Sequence, residues 1–216
     1  MKMYFTGAQM RSIVSTGIAA SADDITPVLQ TVSLTFDAAS CEVSAVATDR
    51  YRIARNRFTV SADNVFDGVS FTVLLPVKQL TTFWNSIKTA ALRGDTPVIF
   101  SVDFDGDTVT GFSVEYGGQT FSGLPVAGNF PSVDRLMPSE SDLESFIPAA
   151  VFGLNPRFVG DLSKLFSADD LPRENLKDTP WFFHSQTVNG GTKPGPLYIT
   201  RPGGVDYLVQ PVSGLR

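Results

Sequence analysis

The side chains able to carry a reaction are few, and they do not cluster along the chain. His184 is the sole histidine and lies in an aromatic run, Trp181-Phe182-Phe183-His184. Without a second histidine or a neighbouring cysteine, the common zinc sites built from His and Cys cannot be assembled. A serine triad could borrow His184, but no Gly-x-Ser-x-Gly elbow precedes a helix. Cys41, the lone cysteine, reads as a small buried hydrophobe in a strand-like run and excludes a disulfide within one chain. Asp103, Asp105 and Asp107 alternate in the manner of a calcium loop. An EF-hand, however, needs Gly at its sixth position and Glu at its twelfth, where Thr108 and Val114 stand. An Asp-Gly hairpin between two strands accounts for that run. Gly190-Gly191-Thr192-Lys193-Pro194-Gly195 lacks the spacing of a phosphate-binding loop and reads as a hairpin tip. The sequence therefore points away from an enzyme, with no cofactor and no metal site.

The elements that would position these residues repeat. A unit of one short strand, a helix and three strands recurs three times at a period of roughly 65 to 80 residues. The first unit, residues 1–62, has Met3-Tyr4-Phe5, a helix from Gly7 to Ala20, then strands at Thr31–Phe36, Val43–Ala47 and Tyr51–Val60. The second, residues 63–137, has a strand at Ser70–Leu75, a helix opening at Pro76, and strands at Val98–Phe104, Thr108–Glu115 and Gln119–Gly123. The third, residues 138–216, has Val151-Phe152-Gly153-Leu154, an Asn155 N-cap before Pro156, and strands at Trp181–Gln186, Leu197–Arg201 and Asp206–Val212. Residues 62–68 read as a linker, and residues 167–180 as a charged, proline-bearing loop or short extra helix. Units one and two, residues 1–137, form one domain in this reading, with residues 138–216 as a further unit. The fold class is α+β.

Each helix has an apolar stripe: Met10, Val14 and Ile18; Leu80, Phe83, Trp84 and Ile87; Phe158, Leu162 and Leu165. Off those stripes lie Arg11, then Lys78, Lys88 and Arg93, then Arg157 and Lys164. The segment from Pro76 to Arg93 contains no acidic residue in a chain of net charge -5, which suits either a polyanion or plain solvation. The net charge itself argues against non-specific coating of nucleic acid. A hydrophobic content of 43% with 18% charged residues describes a globular protein. No window approaches the ~18 apolar residues of a membrane span, and no signal-peptide pattern opens the chain. The expected compartment is the cytoplasm.

One polar turn links two alternating runs: Ala47-Thr48-Asp49-Arg50-Tyr51-Arg52-Ile53-Ala54. Thr48 and Asp49 can bond the backbone of the turn. Beyond it, Tyr51 and Ile53 share one strand face, and Arg50 and Arg52 the other. This octet resembles the Ala-Thr-Asp-Gly-His-Arg-Leu-Ala segment of the bacterial DNA polymerase III beta sliding clamp family. Four more segments resemble that family in its own order: Thr26-Pro27-Val28-Leu29-Gln30-Thr31-Val32, Asn129-Phe130-Pro131 through Leu136-Met137-Pro138, Leu154-Asn155-Pro156-Arg157-Phe158-Val159, and Tyr207-Leu208-Val209-Gln210-Pro211-Val212.

The resemblance implies repeated units of the DNA clamp fold, with helices on an inner face and antiparallel sheets outside. It implies a homo-oligomeric ring that encircles double-stranded DNA without reading sequence and tethers a polymerase. Arg11, Lys78, Lys88, Arg93, Arg157 and Lys164 become the expected phosphate-facing residues. Peptides of the polymerase and clamp loader are expected in a pocket of Leu29, Thr48, Tyr51, Arg52, Ile53, Pro131, Arg135, Leu136, Gln210, Pro211 and Val212. Arg50 and Arg52 are assigned first to such peptides rather than to phosphates.

The chain also departs from the family. Family members carry six units and dimerise; three units here match the middle domain and the last unit of the final one, so a ring of twelve would take four chains. Such a reduced size fits a phage-encoded member. Arg50 replaces the signature glycine, which calls for a different backbone geometry, and Gln210 replaces a methionine. A second reading is a clamp-derived module that binds clamp partners without encircling DNA. A third is an unrelated α+β enzyme.

Overall fold

The computed structural model describes residues 1–23, 25–144, 146, 153–169, 180–188 and 193–211. In chain order the first unit comprises β1 (Lys2–Phe5), α1 (Gly7–Thr16), β2 (Thr31–Asp37), β3 (Glu42–Thr48) and β4 (Arg52–Thr59). The second comprises β5 (Val65–Phe66), β6 (Phe71–Pro76), α2 (Val77–Ala91), β7 (Val98–Asp105), β8 (Thr108–Tyr116) and β9 (Gln119–Gly123). After these come α3 (Glu140–Glu144), α4 (Pro156–Asp161), β10 (Phe182–His184), β11 (Thr187–Val188), β12 (Lys193–Pro194), β13 (Leu197–Arg201) and β14 (Val205–Val209). Every strand pairing among the described residues is antiparallel, and the class is α+β.

The first two units exchange their opening strands. β1 joins the second unit's strands in the order β5-β1-β7-β8-β9, while β6 joins the first unit's at β2. Each sheet therefore contains residues of both units, and their inward faces meet in one core that includes Phe5, Phe36, Leu75, Leu80, Phe100 and Phe112. The helices close that core side by side. A β-carbon on Gly7 would lie 2.0 Å from Ala91 O, and one on Gly17 3.0 Å from Val77 Cγ1, so the start of α1 meets the end of α2 and the reverse. The two helices run antiparallel at a separation that only side-chain-free positions permit.

Local chemistry explains the ends. Thr6 Oγ1 accepts from Gln9 N at 3.1 Å and Gln9 Oε1 accepts from Thr6 N at 2.9 Å, a capping box that starts α1. Pro76 is the N-cap of α2 rather than its first helical residue. Its missing N–H is harmless in either position. Asn155 Oδ1 accepts from Arg157 N at 3.0 Å to start α4, with Pro156 next. The linker over residues 62–68 is more ordered than its composition suggests, holding a 3-10 turn and β5. Cys41 is corrected from a buried strand position to a half-buried turn with φ 52. The aspartates fall on the β7–β8 hairpin, where Asp105 pairs with Thr108 across Gly106-Asp107.

The third unit joins the first through one ladder. β14 pairs with β4, Leu208 opposite Ile53 and Val209 opposite Arg52, giving a seven-stranded sheet ordered β10-β13-β14-β4-β3-β2-β6. On its helix side Leu162, Leu165, Leu197, Ile199 and Tyr207 pack on Ala19, Ala47 and Ala54. His184 is half-buried on β10, its ring nitrogen 3.3 Å from Thr200 Oγ1. The expected strand residues Val151 and Phe152, the hairpin-tip residues 189–192 and most of the 167–180 loop lie outside the described residues.

Candidate functional site

The seam between β4 and β14 has two unlike faces, because successive strand residues point to opposite sides. On the helix side, Arg52 is buried, 4% exposed. Its Nε donates to Asp49 Oδ2 at 2.9 Å, its Nη1 donates to Asp161 Oδ2, and Tyr207 OH lies 3.4 Å from Nη1. The guanidinium also stacks 4.7 Å over the Phe158 ring. Burial opposes the Arg52 charge, but the bonds to Tyr207 and Asp49 outweigh it, so its pKa stands above the usual arginine value. Burial pushes the Tyr207 hydroxyl up to about 12, against the pull of Arg52. Arg52 thus ties the turn, α4 and β14 together.

On the other face Ile53 and Leu208 pack with Val46, Val133 and Tyr198. Above them lies a pocket of about 230 Å³, lined by Thr48, Arg50, Tyr51, Arg52, Ile53, Pro131, Ser132, Val133, Leu136, Leu208 and Gln210. That volume is below the roughly 300 Å³ at which drug-sized ligand sites begin and suits one or two side chains. Its mouth is open: Tyr51 is 66% and Leu136 57% exposed. Further along the same face a polar layer follows, because Arg55, Asp206 and Tyr198 alternate onto the side of Ile53 and Leu208. Arg55 Nε donates to Asp206 Oδ2 at 2.8 Å and Tyr198 OH donates to Asp206 Oδ1 at 2.7 Å.

The turn holding Tyr51 at the mouth is braced at each step. Thr48 Oγ1 accepts from Arg50 N at 3.1 Å and donates to Arg52 O at 2.7 Å. Asp49 Oδ1 accepts from Tyr51 N at 3.0 Å and Arg52 N at 3.1 Å. Arg50 nevertheless sits at φ 78. The arginine therefore has not moved the turn out of the left-handed region; it occupies that region at about 1–2 kcal/mol for its β-carbon.

Seven expected pocket residues line this space: Thr48, Tyr51, Arg52, Ile53, Pro131, Leu136 and Gln210. Arg52 does so at its strand position while its guanidinium is engaged on the opposite face. Leu29 does not line the pocket. It is 3% exposed in a 3-10 turn, its N–H donating to Thr26 O. Arg135 and Pro211 are also off the lining, and Val212 lies outside the described residues. Ser132, Val133 and Leu208 were not expected. Leu208 enters through the β4–β14 register, and Ser132 and Val133 through the segment after β9; both are long-range contacts that local alternation does not contain.

Of the expected phosphate-facing residues, Lys78, Lys88 and Arg93 are exposed on or just after α2, and Arg157 is exposed on α4. Lys164 is exposed but pairs with Asp161 Oδ1 at 3.0 Å. Arg11 is corrected: it is 8% exposed, with its guanidinium 4.3 Å over the Phe166 ring. No residue of α1 is exposed, because Asn56 of β4 meets Ser12 and Thr16 while Phe166 covers the flank of Arg11 and Ser15.

A family model for the DNA polymerase III beta subunit, central domain, matches residues 6–132, across both exchanged units. No curated protein matches this sequence. The fold is similar to that of a protein described as a DNA polymerase III beta subunit from Eubacterium rectale, at 14% identity and TM-score 0.73, covering 99% of this chain and 66% of that one. It is also similar to a DNA polymerase sliding clamp from Bacillus subtilis, at 14% identity and TM-score 0.66, covering 99% and 64%. A DNA polymerase III beta chain from Streptococcus pneumoniae gives 15% and 0.70, covering 99% and 65%. The chain thus spans just under two thirds of the length of each.

Proposed function

Because the chain belongs to the DNA polymerase III beta subunit family, matched over its central domain, we propose that it acts as a sliding clamp. In this reading it is a non-enzymatic, cytoplasmic processivity factor. Copies close into a ring on duplex DNA, and each tethers a polymerase or loader by a short peptide. The observation that carries this reading is the pocket at the β4–β14 seam, where exposed Tyr51 and Leu136 flank an apolar floor of Ile53 and Leu208. An extended peptide can bury one or two apolar anchors there. Phosphate attraction falls to the acid-free face of α2 with Lys78 and Lys88, to Arg93 beyond it, and to Arg157. Such contacts are sequence-independent and weaken with salt.

The test is retention on circular DNA. A ring stays on a closed circle at moderate salt and leaves when the circle is cut. A protein that is monomeric by light scattering at high concentration and is never retained on circles overturns the ring.

A second reading is favoured by the burial of Arg11 and the pairing of Lys164 with Asp161. These leave a thinner basic surface than the sequence suggests, as for a module that binds clamp partners without encircling DNA. It is supported if peptides bind while DNA circles do not, and excluded by release on cutting.

A further inference from the structure

Two arginines flank Tyr51, and they are in opposite electrostatic states. Arg52 is neutralised by Asp49 and Asp161. Arg50 is exposed, and its guanidinium donates from Nη2 to a hydroxyl, Thr26 Oγ1, at 2.8 Å. Among the described residues no carboxylate lies within ion-pair distance of it. The pocket lining contains no carboxylate either. Arg50 also holds a left-handed backbone that glycine would adopt without strain. Among the described residues its side chain makes one hydrogen bond, to Thr26, and no ion pair, yet it lines the apolar pocket. A strained, exposed cation at a pocket, held only by one hydroxyl among the described residues, points to a role in binding.

We propose that Arg50 sets the charge specificity of the pocket: it pairs with an acidic side chain adjacent to the apolar anchor of a docked peptide. This rests on the peptide-docking reading above and adds the partner's chemistry to it. The anchor fills the space between Ile53, Leu136 and Leu208, while the carboxylate replaces Thr26 or shares the guanidinium with it. The bond is charge-assisted and reached from solvent, so it discriminates modestly and screens with salt.

The experiment uses the full chain and a set of acetylated, amidated peptides. Each has a Leu-Phe anchor in a Ser/Gly background, with a single Asp or its isostere Asn scanned through the flanking positions. Blocking the termini leaves the side chain as the sole carboxylate. At one flanking position Asp is expected to bind about three- to fivefold tighter than Asn at low salt. That ratio falls to about one in Arg50→Gly, which suits the local backbone, and shrinks in wild type at high salt. Leu136→Ser, at an exposed position, weakens all the peptides and keeps the ratio. If peptides bind and Leu136→Ser weakens them, but no position prefers Asp or the preference survives Arg50→Gly, the role of Arg50 is overturned alone. If no peptide binds saturably, the docking reading falls and takes this inference with it.

Discussion

The first two units and the described part of residues 138–216 are held in place by different physics. The first two interlock: each lends its opening strand to the other's sheet, so neither core can form without its mate. Among the described residues the third is attached by the β14–β4 ladder, by two smaller apolar clusters on its two faces and by buried charge clusters around Arg52 and Asp206. Exchanged strands make a domain that melts as a whole, whereas a stapled unit can loosen at its seam. The pocket lies on that seam, so its shape depends on the weaker of the two attachments.

The largest effect is expected inside the interlocked pair. Phe100 is 1% exposed and meets Phe5 at 6.0 Å and Phe112 at 6.4 Å between ring centroids. Phe100→Ala removes contacts that span both units and should cost about 3–5 kcal/mol. Denaturant unfolding should show one transition shifted as a whole. A variant that loses only the second unit's signal would break the picture of mutual dependence.

Asp161→Asn tests the staple. Asp161 is 2% exposed and accepts from Arg52 and from Lys164. The isostere leaves Arg52 buried with Asp49 as its remaining carboxylate, for a loss of about 3 kcal/mol. The loss should be local: amide exchange in Leu197–Arg201 and Val205–Val209 accelerates, while the β7–β8 amides keep their protection. Equal acceleration in both regions would erase the distinction between interlocking and stapling.

The contrast also explains what could be read from the chain. Strands such as β2, β3 and β9 alternate, and their bounds follow from local pattern and turn chemistry. The octet supplied the turn and half of the pocket, because Thr48 to Ile53 are contiguous. Leu208, Val133 and Ser132 enter the pocket only once β14 lies beside β4 and the segment after β9 crosses the sheet, and neither contact has a local signature. Arg11 was misplaced for a related reason. Helical periodicity finds the face with aliphatic residues, but α1 is covered on a second side, where an arginine stacked on Phe166 serves as packing surface. Leu29 belonged to a family segment near the pocket, and its side chain turned inward.

Alkaline pH should weaken the staple before the core. The Tyr207 hydroxyl titrates at about 12 in the fold, against about 10 when unfolded. A raised pKa means that the neutral form is favoured in the native state. That contribution is complete below pH ~10 and fades as pH rises toward 12, by on the order of 2 kcal/mol. Tyr207→Phe should flatten this part of the stability profile. An unchanged profile would remove Tyr207 from the seam's energetics.

The smallest expected change has the opposite sign. Arg50→Gly relieves a left-handed β-carbon worth about 1–2 kcal/mol but gives the unfolded chain more freedom, worth about 0.4–1 kcal/mol. The difference favours the variant by about 0.5–1 kcal/mol, a gain of a few degrees in Tm at most for a chain of this size. The brace from Thr48 and Asp49 remains, because it uses backbone atoms that glycine also has. A more stable protein that docks acidic peptides less selectively would show that the turn gives up stability for recognition, while the buried Arg52 two residues on serves stability alone. A destabilised Arg50→Gly would instead mean that the Thr26 bond outweighs the strain, and the two arginines would then share a structural role.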